Sequence, residues 1–294
     1  ASANVTITTN GAGTQSGNIL VADDITWDAD TTLTLNADRN IGFFANVTKR
    51  GMGGLVLNHG AGGDYIIADG ASIDLTGAGQ YLTINGQTYT LISNMAQLDN
   101  IDTTGLSGHY TLATDLDATG TTYTQALVGH DYANPFSGVF TGLGNSISNL
   151  DINSTEYRTG LFGTVAGATI RDISLEGGSV RGNRIVGSLV GAVGANTIGG
   201  VTTFSTISNA RSSVNVSSTG THYTGGLVGR NYFGTISNSH ASGSVTSTGS
   251  TVGGLAGSNT GTILNSYATG SVSGKESIGG LVGTNGRIQS ILGT

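Results

Sequence analysis

The residues of this chain that could perform chemistry include two aspartates that lie close together. Asp115 and Asp117 stand two apart in the segment LATDLDA, where alternating apolar residues predict a strand. Side chains two apart on a strand point to the same face, about 7 Å from each other. That separation suits an acid–base pair of carboxyl groups or part of a calcium site. The alternative is a structural role for the two aspartates, and we favour it, because a carboxylate pair alone is weak evidence for catalysis.

A second acidic group surrounds the single tryptophan, Trp27. Asp23, Asp24, Asp28 and Asp30 lie within a few residues of that side chain. Carboxylate oxygens are the ligands that calcium prefers, so a calcium site is one interpretation of this stretch. A solvated acidic edge is the other interpretation, and it is the one that we favour.

The remaining candidates for chemistry are dispersed. The five histidines, namely His59, His109, His130, His222 and His240, include no pair at the i, i+4 spacing of a zinc-binding helix. We therefore expect them in turns or on the surface. The 50 glycines form no GxSxG elbow, Walker loop or GxGxxG fingerprint. The sequence predicts no catalytic residue, no metal ligand and no cofactor site.

The composition excludes several classes of partner. The 294 residues carry a net charge of −7, and the 11 basic residues are spread thinly. No basic stripe is available for nucleic acid or anionic lipid. No apolar run approaches the roughly 18 residues that a membrane-spanning helix needs. The chain has no cysteine, so disulfides and thiolate metal sites are also excluded.

The sequence pattern indicates that short β-strands position these candidate side chains. Runs of Val, Ile and Leu are separated by Gly, Asn, Ser and Thr, and only 10% of the residues are charged. This pattern is typical of all-β proteins and lacks the helix-forming residues that long helices require. The sequence accordingly predicts an all-β fold.

An internal repeat refines this prediction. A glycine-flanked leucine recurs at Leu161, Leu189, Leu227, Leu255 and Leu281, in steps of 28, 38, 28 and 26 residues. A second block carries an isoleucine in each unit, and a third is a short valine strand. Three strands in about 27 residues predict a three-sided coil. Stacked coils then bury the leucines in a continuous core, with strands about 4.8 Å apart along the stack.

Two further features are predicted from the repeat. Asn149, Asn209, Asn238 and Asn265 occupy equivalent positions, so we expect their amides to bond one another in a ladder, which Asp172 breaks. The longer step of 38 residues predicts a loop that protrudes around Ala195–Thr203.

The chain divides into three parts by these criteria. We expect residues 1–93 to form irregular coils that are wider than the later ones. Residues 94–145 are predicted to form a lead-in segment with a helical turn at Asn94–Ile101 and a protruding loop, and residues 146–294 the regular repeat coils. We expect the three parts to form one continuous solenoid.

The repeat unit GGLVG-x-N…G-x-I-x-N-S-x-A-x-G-S-V resembles the GLUG repeat of bacterial surface and secreted proteins. The segment from LISNMAQLDNID to NSISNLDI resembles the lead-in of such repeats, in which the first aspartate of LATDLDA holds a turn. The N-terminal GNILVADDITWDADTTLTLNADRNI resembles the passengers of two-partner-secretion exoproteins of the filamentous-haemagglutinin and high-molecular-weight adhesin class. The resemblance implies a right-handed parallel β-helix, exported from a Gram-negative cell through an outer-membrane partner and used for attachment. Some GLUG proteins are metalloproteases, but this chain has no HExxH motif.

The leading hypothesis for function is therefore a segment of a secreted or surface-displayed adhesin that contacts a glycan or protein receptor. The alternative is a carbohydrate-active β-helix enzyme, which requires several convergent carboxylates. Ice binding would need a flat threonine array, and the threonine pairs here are too sparse. We expect specificity where the repeat is interrupted, at Ala195–Thr203 and at Asp115–Pro135, and in the side chains that face out of each coil.

Two sets of surface residues are further candidates. Four sequons, at Asn4, Asn46, Asn153 and Asn215, are candidate glycan acceptors. The repeat tyrosines, Tyr223, Tyr232 and Tyr267, either form a glycan-stacking face or fill the core between coils.

Overall fold

The protein is all-β with parallel sheets. The computed structural model describes residues 3–9, 17–249 and 251–286. Strands make up 53% of the described residues and helices 3%, as the alternation of β-branched and turn-forming residues predicts. Within the described ranges the sheets do not close into a barrel, and no helix is long and apolar enough to cross a membrane.

The strands before the helices are short and are separated by turns. They are β1 (Val5–Thr8), β2 (Ile19–Val21), β3 (Ile25–Trp27), β4 (Leu33–Asn36), β5 (Ile41–Phe43), β6 (Val47–Lys49), β7 (Gly53–Asn58), β8 (Tyr65–Ile67), β9 (Ile73–Leu75), β10 (Gln80–Ile84) and β11 (Gln87–Ile92). Two short helices follow, α1 (Met95–Asp99) and α2 (Ile101–Thr104). The helical turn thus forms where the sequence predicts it. Asn94 caps α1 by accepting a hydrogen bond from the Gln97 amide.

The later strands are as follows. They are β12 (His109–Leu112), β13 (Leu116–Asp117), β14 (Thr122–Tyr123), β15 (Val139–Thr141), β16 (Ser146–Asn153), β17 (Arg158–Thr159), β18 (Phe162–Ala166), β19 (Thr169–Gly182), β20 (Ile185–Val186), β21 (Val190–Ile198), β22 (Val201–Phe204), β23 (Thr206–Ser212), β24 (Asn215–Ser218), β25 (Tyr223–Gly225), β26 (Val228–Asn231), β27 (Thr235–Ser237), β28 (His240–Ala241), β29 (Val245–Ser247), β30 (Thr251–Gly253), β31 (Ala256–Asn259), β32 (Thr262–Leu264), β33 (Tyr267–Ala268), β34 (Val272–Ser273), β35 (Ser277–Gly279) and β36 (Val282–Asn285).

The chain forms two compact units. The first unit contains the described residues of 1–93 together with 108–116 and 141–146, and the second contains 94–107, 117–140 and the described residues of 147–294. The lead-in segment 94–145 is therefore divided between the units. The continuous solenoid stays a prediction.

In the first unit, successive turns of chain add one strand to each of three parallel stacks. These stacks are β1–β4–β7–β10, β2–β5–β8 and β3–β6–β9. Val5, Leu33, Leu55 and Leu82 share one row, in steps of 28, 22 and 27 residues. The prediction of wider coils here is wrong, because strands of three to six residues joined by tight Asn, Asp and Gly turns need no more chain than the later coils do.

The second unit repeats this arrangement in longer stacks. One stack is β17–β20–β25–β30–β35 and another is β18–β21–β26–β31–β36. Between these paired strands lie the repeat leucines, of which Leu161, Leu189, Leu227 and Leu255 are fully buried. Each such leucine contributes about 1.5–3 kcal/mol by leaving water. Leu281 differs from the core position expected for it, since it is 37% exposed on the last described coil, where no described coil covers it.

The extra residues of the longest step form a β-hairpin. The strand β21 continues past the stack and pairs antiparallel with β22, from Ala195 opposite Phe204 to Ile198 opposite Val201. Gly199 and Gly200 make the turn with φ of 57° and 81°, which only glycine adopts without cost at both positions. The predicted protruding loop is thus an ordered hairpin.

The repeat asparagines share a backbone conformation. Asn149, Asn209, Asn238 and Asn265 all have φ between 46° and 57°, and Asp172 has φ 53°. This left-handed region costs most residues about 1–2 kcal/mol and is tolerated by Asn and Asp, whose side chains bond locally. The need for a left-handed corner explains why the position is conserved among the coils of this chain.

The amides of these residues bond in pairs. Asn209 Nδ2 donates to Asp172 Oδ1 at 2.9 Å, and Asn265 Nδ2 donates to Asn238 Oδ1 at 3.3 Å. Asn149 Nδ2 donates to Asp117 Oδ1 at 3.1 Å. Asp172 joins the row as an acceptor from Asn209, but its carboxylate has no N–H to donate to the next position, so its interruption of a continuous amide ladder stays a prediction.

A second asparagine ladder lies inside the core. Asn231 Nδ2 donates to Asn259 Oδ1 at 2.7 Å, and Asn259 Nδ2 donates to Asn285 Oδ1 at 2.9 Å. Asn231 is 0% and Asn259 5% exposed. This ladder was not predicted from the sequence, although an asparagine is the second residue after each of the phrases that end at Gly229, Gly257 and Gly283.

Candidate binding site

A cleft of about 970 Å³ opens on the side of the second unit. Four parts of the chain line it: Tyr132–Pro135, the hairpin between Ala195 and Phe204, residues of β18, β21 and β26 with the following Tyr232 and Phe233, and Arg158 and Ile185 of β17 and β20. The first two parts belong to the interruptions of the repeat at which the sequence predicts specificity. The fold therefore brings both interruptions to one site.

The floor of this cleft follows from strand register. Thr164, Ala192 and Arg230 occupy the same row of the β18–β21–β26 stack. Because Thr164 and Ala192 are small, the row is low over two coils and rises at the arginine. The neighbouring row places Arg158 next to Ile185 and then Tyr223. The two arginines therefore line one groove, which we call the arginine cleft.

Each arginine lies against aromatic rings. The Arg158 guanidinium carbon is 4.0 Å from the centre of the Tyr132 ring and 5.1 Å from that of Tyr157. The Arg230 carbon is 4.8 Å from the Tyr232 ring centre and 5.6 Å from that of Tyr223. Such cation–π contacts orient the planar guanidinium groups.

The charges of the two arginines are not neutralised within the described structure. The Nε atoms of Arg158 and Arg230 are buried without a hydrogen-bond partner there. Arg171 in the same unit is different, since its Nε lies 2.7 Å from a carboxylate oxygen of Asp172. Burial lowers the pKa of Arg158, and the charge of Arg230 lowers it further, against the raising effect of Tyr132 and Tyr157. Arginine remains protonated at any ordinary pH, so the cleft holds two positive charges.

Exposed aromatic side chains form the rim. Tyr132 is 67% and Phe204 53% exposed. Phe233 packs against Tyr232 with ring centres 4.2 Å apart, and against Phe204 at 6.4 Å. Large rings that remain in water are a feature of binding surfaces, because they give contact area at low entropic cost. Of the three repeat tyrosines, Tyr232 lines the cleft, Tyr223 contacts Arg230 and Tyr267 stacks on His240 at 4.7 Å.

Asp115 and Asp117 serve as hydrogen-bond acceptors. Asp115 Oδ1 accepts from the Ser146 amide at 2.7 Å. Asp117 Oδ1 accepts from the Thr119 hydroxyl and the Asn149 amide, and these bonds lower the pKa of Asp117 to about 2. A carboxyl group with that pKa is ionised near neutral pH and has no proton to donate. Neither aspartate lines the arginine cleft.

A carboxylate–imidazole pair holds a loop of the second unit. Asp102 on α2 accepts from the Gly129 amide at 2.6 Å and bonds His130 Nδ1. The described contacts of His130 include no hydroxyl group that an imidazole could activate. Burial raises the pKa of the nearby Asp99, and the charge of Asp102 adds to that effect. The pair fixes the loop that leads to Tyr132.

The acidic residues around Trp27 also have structural partners. Asp24 and Asp30 accept hydrogen bonds from the amides of Asn46 and Met52 in the next coil. Lys49 is fully buried, donates to the Ala29 carbonyl oxygen at 2.8 Å and lies 5.5 Å from the Trp27 ring centre. Across the described ranges, no group of three or more His, Asp or Glu side chains is placed to hold a metal ion.

The four sequon asparagines are exposed. Asn4, Asn46 and Asn215 use their Oδ1 atoms to accept backbone amides of the next coil, at 2.9, 3.0 and 3.0 Å. Asn153 makes no side-chain hydrogen bond with any described residue. All four remain candidate glycan acceptors.

Comparison with known proteins supports part of the resemblance. The GLUG motif matches residues 220–246 and 248–273. These stretches contain the coils of Leu227 and Leu255, so the resemblance to GLUG repeats is confirmed there. Comparison with curated proteins gives no match.

One solved structure shares the fold. It is the crystal structure of a candidate immunoglobulin A1 protease from Bacteroides ovatus, with 22% identity, 66% of this chain and 71% of that chain covered, and a TM-score of 0.50. At this identity the likeness concerns the fold alone. The chain is thus similar in fold to that protein and carries two GLUG motifs.

Proposed function

We propose that this chain is a segment of a secreted or surface-displayed bacterial adhesin that attaches through the arginine cleft. The observation that carries the proposal is a groove with two unneutralised guanidinium groups and exposed aromatic rings, built where the repeat is interrupted. The GLUG motif, which occurs in extracellular and surface proteins, supports this location.

We also infer that each unit is coiled as a right-handed parallel β-helix. The support is that consecutive strands enter different parallel stacks in turn, and that equivalent residues of successive coils pair in register. Such a scaffold is rigid, since each coil packs on its neighbours. It can therefore hold a cleft made from coils that are far apart in sequence.

Binding is favoured over catalysis at this site. A glycoside-cleaving enzyme needs a carboxylic acid and a carboxylate on opposite sides of the scissile bond. The described lining of the arginine cleft contains no aspartate or glutamate. The polysaccharide-acting enzyme that the sequence left as an alternative therefore has no acid–base pair in the cleft, and we propose a non-enzymatic role.

The partners that we propose are a glycan receptor on a host cell or surface and, during export, an outer-membrane secretion protein. The passenger-like N-terminal sequence supports the second partner. Avidity would follow from display of many copies.

Attachment of the whole chain to host epithelial cells and to a glycan array tests the proposed function. We expect saturable attachment that falls when Arg158 and Arg230 are both changed to alanine. Arg181→Ala is the matched control, because Arg181 is exposed in the same unit and does not line the cleft. Absence of saturable attachment to any surface would refute the adhesin role.

A further inference from the structure

We propose that the ligand of the arginine cleft is an acidic saccharide, whose carboxylate or sulfate groups are bound by Arg158 and Arg230 and whose sugar rings pack on the aromatic rim. This inference rests on the proposed attachment function and names the chemical class that the site selects.

The charge of the cleft requires an anion. Two guanidinium groups share the groove, and neither has a carboxylate oxygen within 4.0 Å among the described residues. Positive charges that are partly removed from water and close to each other raise the energy of the empty cleft. An anionic ligand relieves this cost, whereas a neutral ligand covers both charges without compensating them.

Hydrogen-bond donors in the cleft also lack acceptors. The Nε atoms of both arginines are buried and have no described acceptor. A guanidinium group presents its N–H donors in a planar fork that fits the two oxygens of a carboxylate or sulfate. The cation–π contacts with Tyr132 and Tyr232 hold these forks in place before a ligand arrives, which lowers the entropic cost of binding.

The surface beside the charges suits sugar rings. Tyr132, Phe204 and Phe233 present exposed ring area, and the apolar faces of sugars pack on such rings. The hairpin adds hydroxyl and amide groups at Asn196, Thr197 and Thr202, which can bond sugar hydroxyls. The groove is open rather than enclosed by the described residues, so an oligosaccharide can lie along it.

An extended peptide finds no free sheet edge on the floor of the cleft. Extended peptides are recognised mainly through the free edge of a sheet. The strands beneath the cleft, β21 and β26, are each paired on both sides within their stack. Their backbone groups are used by the neighbouring coils, so the floor of the cleft offers side chains alone.

Calorimetric titration of the whole chain tests this inference. The probes are a hyaluronan tetrasaccharide, which carries carboxylates, a chondroitin sulfate tetrasaccharide, which adds sulfates, neutral chitotetraose, and a hexaglutamate peptide. We expect both acidic saccharides to bind at least about tenfold more tightly than chitotetraose, and to bind less tightly at higher salt. The ratio between the two acidic probes distinguishes carboxylate from sulfate recognition.

Variants link the binding to the cleft. Arg158→Ala and Arg230→Ala are each expected to weaken acidic-saccharide binding about tenfold or more. The lysine variants at the same positions keep the charge without the fork and are expected to bind with intermediate affinity. Arg181→Ala should bind as the unmodified chain does. Far-UV circular dichroism verifies that each variant is folded, and the lysine pair serves if an alanine variant is not.

Four results would overturn the inference: chitotetraose binding as tightly as the acidic saccharides, hexaglutamate binding more tightly, no effect of either arginine variant, or no binding of any probe. Each of these leaves the attachment assay to judge the proposed function separately. Attachment to neutral glycans would retain the adhesin role and refute only the acidic-saccharide class.

Discussion

Replacing Asn231 by valine tests the importance of the buried asparagine ladder. Asn231 is fully buried on β26, and its Nδ2 atom donates to Gly234 O at 3.0 Å and Asn259 Oδ1 at 2.7 Å. The equivalent position in the preceding coil is Val193. Valine therefore has a shape that this row already accepts, and the substitution removes the amide without requiring a new backbone position.

The magnitude follows from the groups left behind. Gly234 O keeps a hydrogen bond from the Thr262 amide at 2.9 Å, whereas Asn259 Oδ1 loses its described donor. A buried acceptor without a donor costs about 1–3 kcal/mol. Removal of Asn231 Oδ1, which is itself buried without a described partner, offsets part of that cost. We expect Asn231→Val to lower the free energy of unfolding by about 1–2 kcal/mol.

The double variant isolates the ladder from other effects. In Asn231→Val/Asn259→Val the orphaned acceptor is absent, so the two changes together should cost less than the sum of the single changes, by about 1–2 kcal/mol. Urea unfolding followed by far-UV circular dichroism measures the free energies. Hydrogen exchange of peptides around β26 and β31 shows whether the loss of stability lies at the ladder. This second measurement is needed because stacked coils can unfold in parts.

The single tryptophan provides a separate readout. Trp27 lies in the first unit, so its fluorescence reports on that unit while hydrogen exchange reports on the ladder. Additivity of the two single changes within about 0.5 kcal/mol would refute the reasoning, since independent sites add to that accuracy.

Three further predictions concern single positions. Asn238→Ala should lower the free energy of unfolding by about 1–2 kcal/mol because its φ of 49° is costly for alanine, and Asn238→Gly should cost less; equal losses in urea unfolding would contradict this. The pKa of Asp117 is lowered to about 2, first by the Thr119 hydroxyl, so its stabilising effect is present above the unfolded pKa and is lost as pH falls through about 2. The urea midpoint of Asp117→Asn should therefore fall less between about pH 4 and pH 2 than that of the unmodified chain, and identical slopes would argue against it. Burial lowers the pKa of Lys49, against the raising effect of Asp30 and Asp28, so the fold disfavours the charged form and should gain stability as pH rises from the folded pKa toward 10.5. Lys49→Met should remove this alkaline gain with little loss of packing, while Lys49→Ala should cost about 2–4 kcal/mol through the cavity it leaves; tryptophan fluorescence in urea follows both, and equal costs would exclude the packing role.

The repeat made much of the second unit predictable. Isoleucines spaced by the repeat, such as Ile207, Ile236 and Ile263, lie in one register row. A fixed hydrophobic period determines which residues stack, because a side chain leaves water only by packing on its equivalent in the next coil. The protruding segment was predictable for a similar reason, since its extra residues lengthen one step of the repeat to 38 residues.

The side-chain hydrogen bonds of the repeat asparagines were harder to predict from the sequence. Their equivalence was evident from the repeat, but the left-handed corner that selects them is a backbone property. Whether an amide bonds the coil above or below depends on side-chain rotamers that composition does not encode. The buried ladder of Asn231 and Asn259 had a signal in the sequence, namely a polar residue repeated within an apolar phrase, but that repeat does not reveal whether the amide faces the core or the solvent.

The sequence by itself determined the all-β class, the rows of the repeat core and the positions where the pattern is interrupted, because these depend on local periodicity. Only the tertiary structure decided that Arg158 and Arg230 share a cleft with Tyr132 and the hairpin. The two arginines belong to coils that are two steps apart, and neither stands out in a thinly charged sequence. Stacking of the coils brings the two arginines together on one lateral face. There they are partly buried and lack a described counter-ion, which makes them candidates for ligand binding that their spacing along the chain does not reveal.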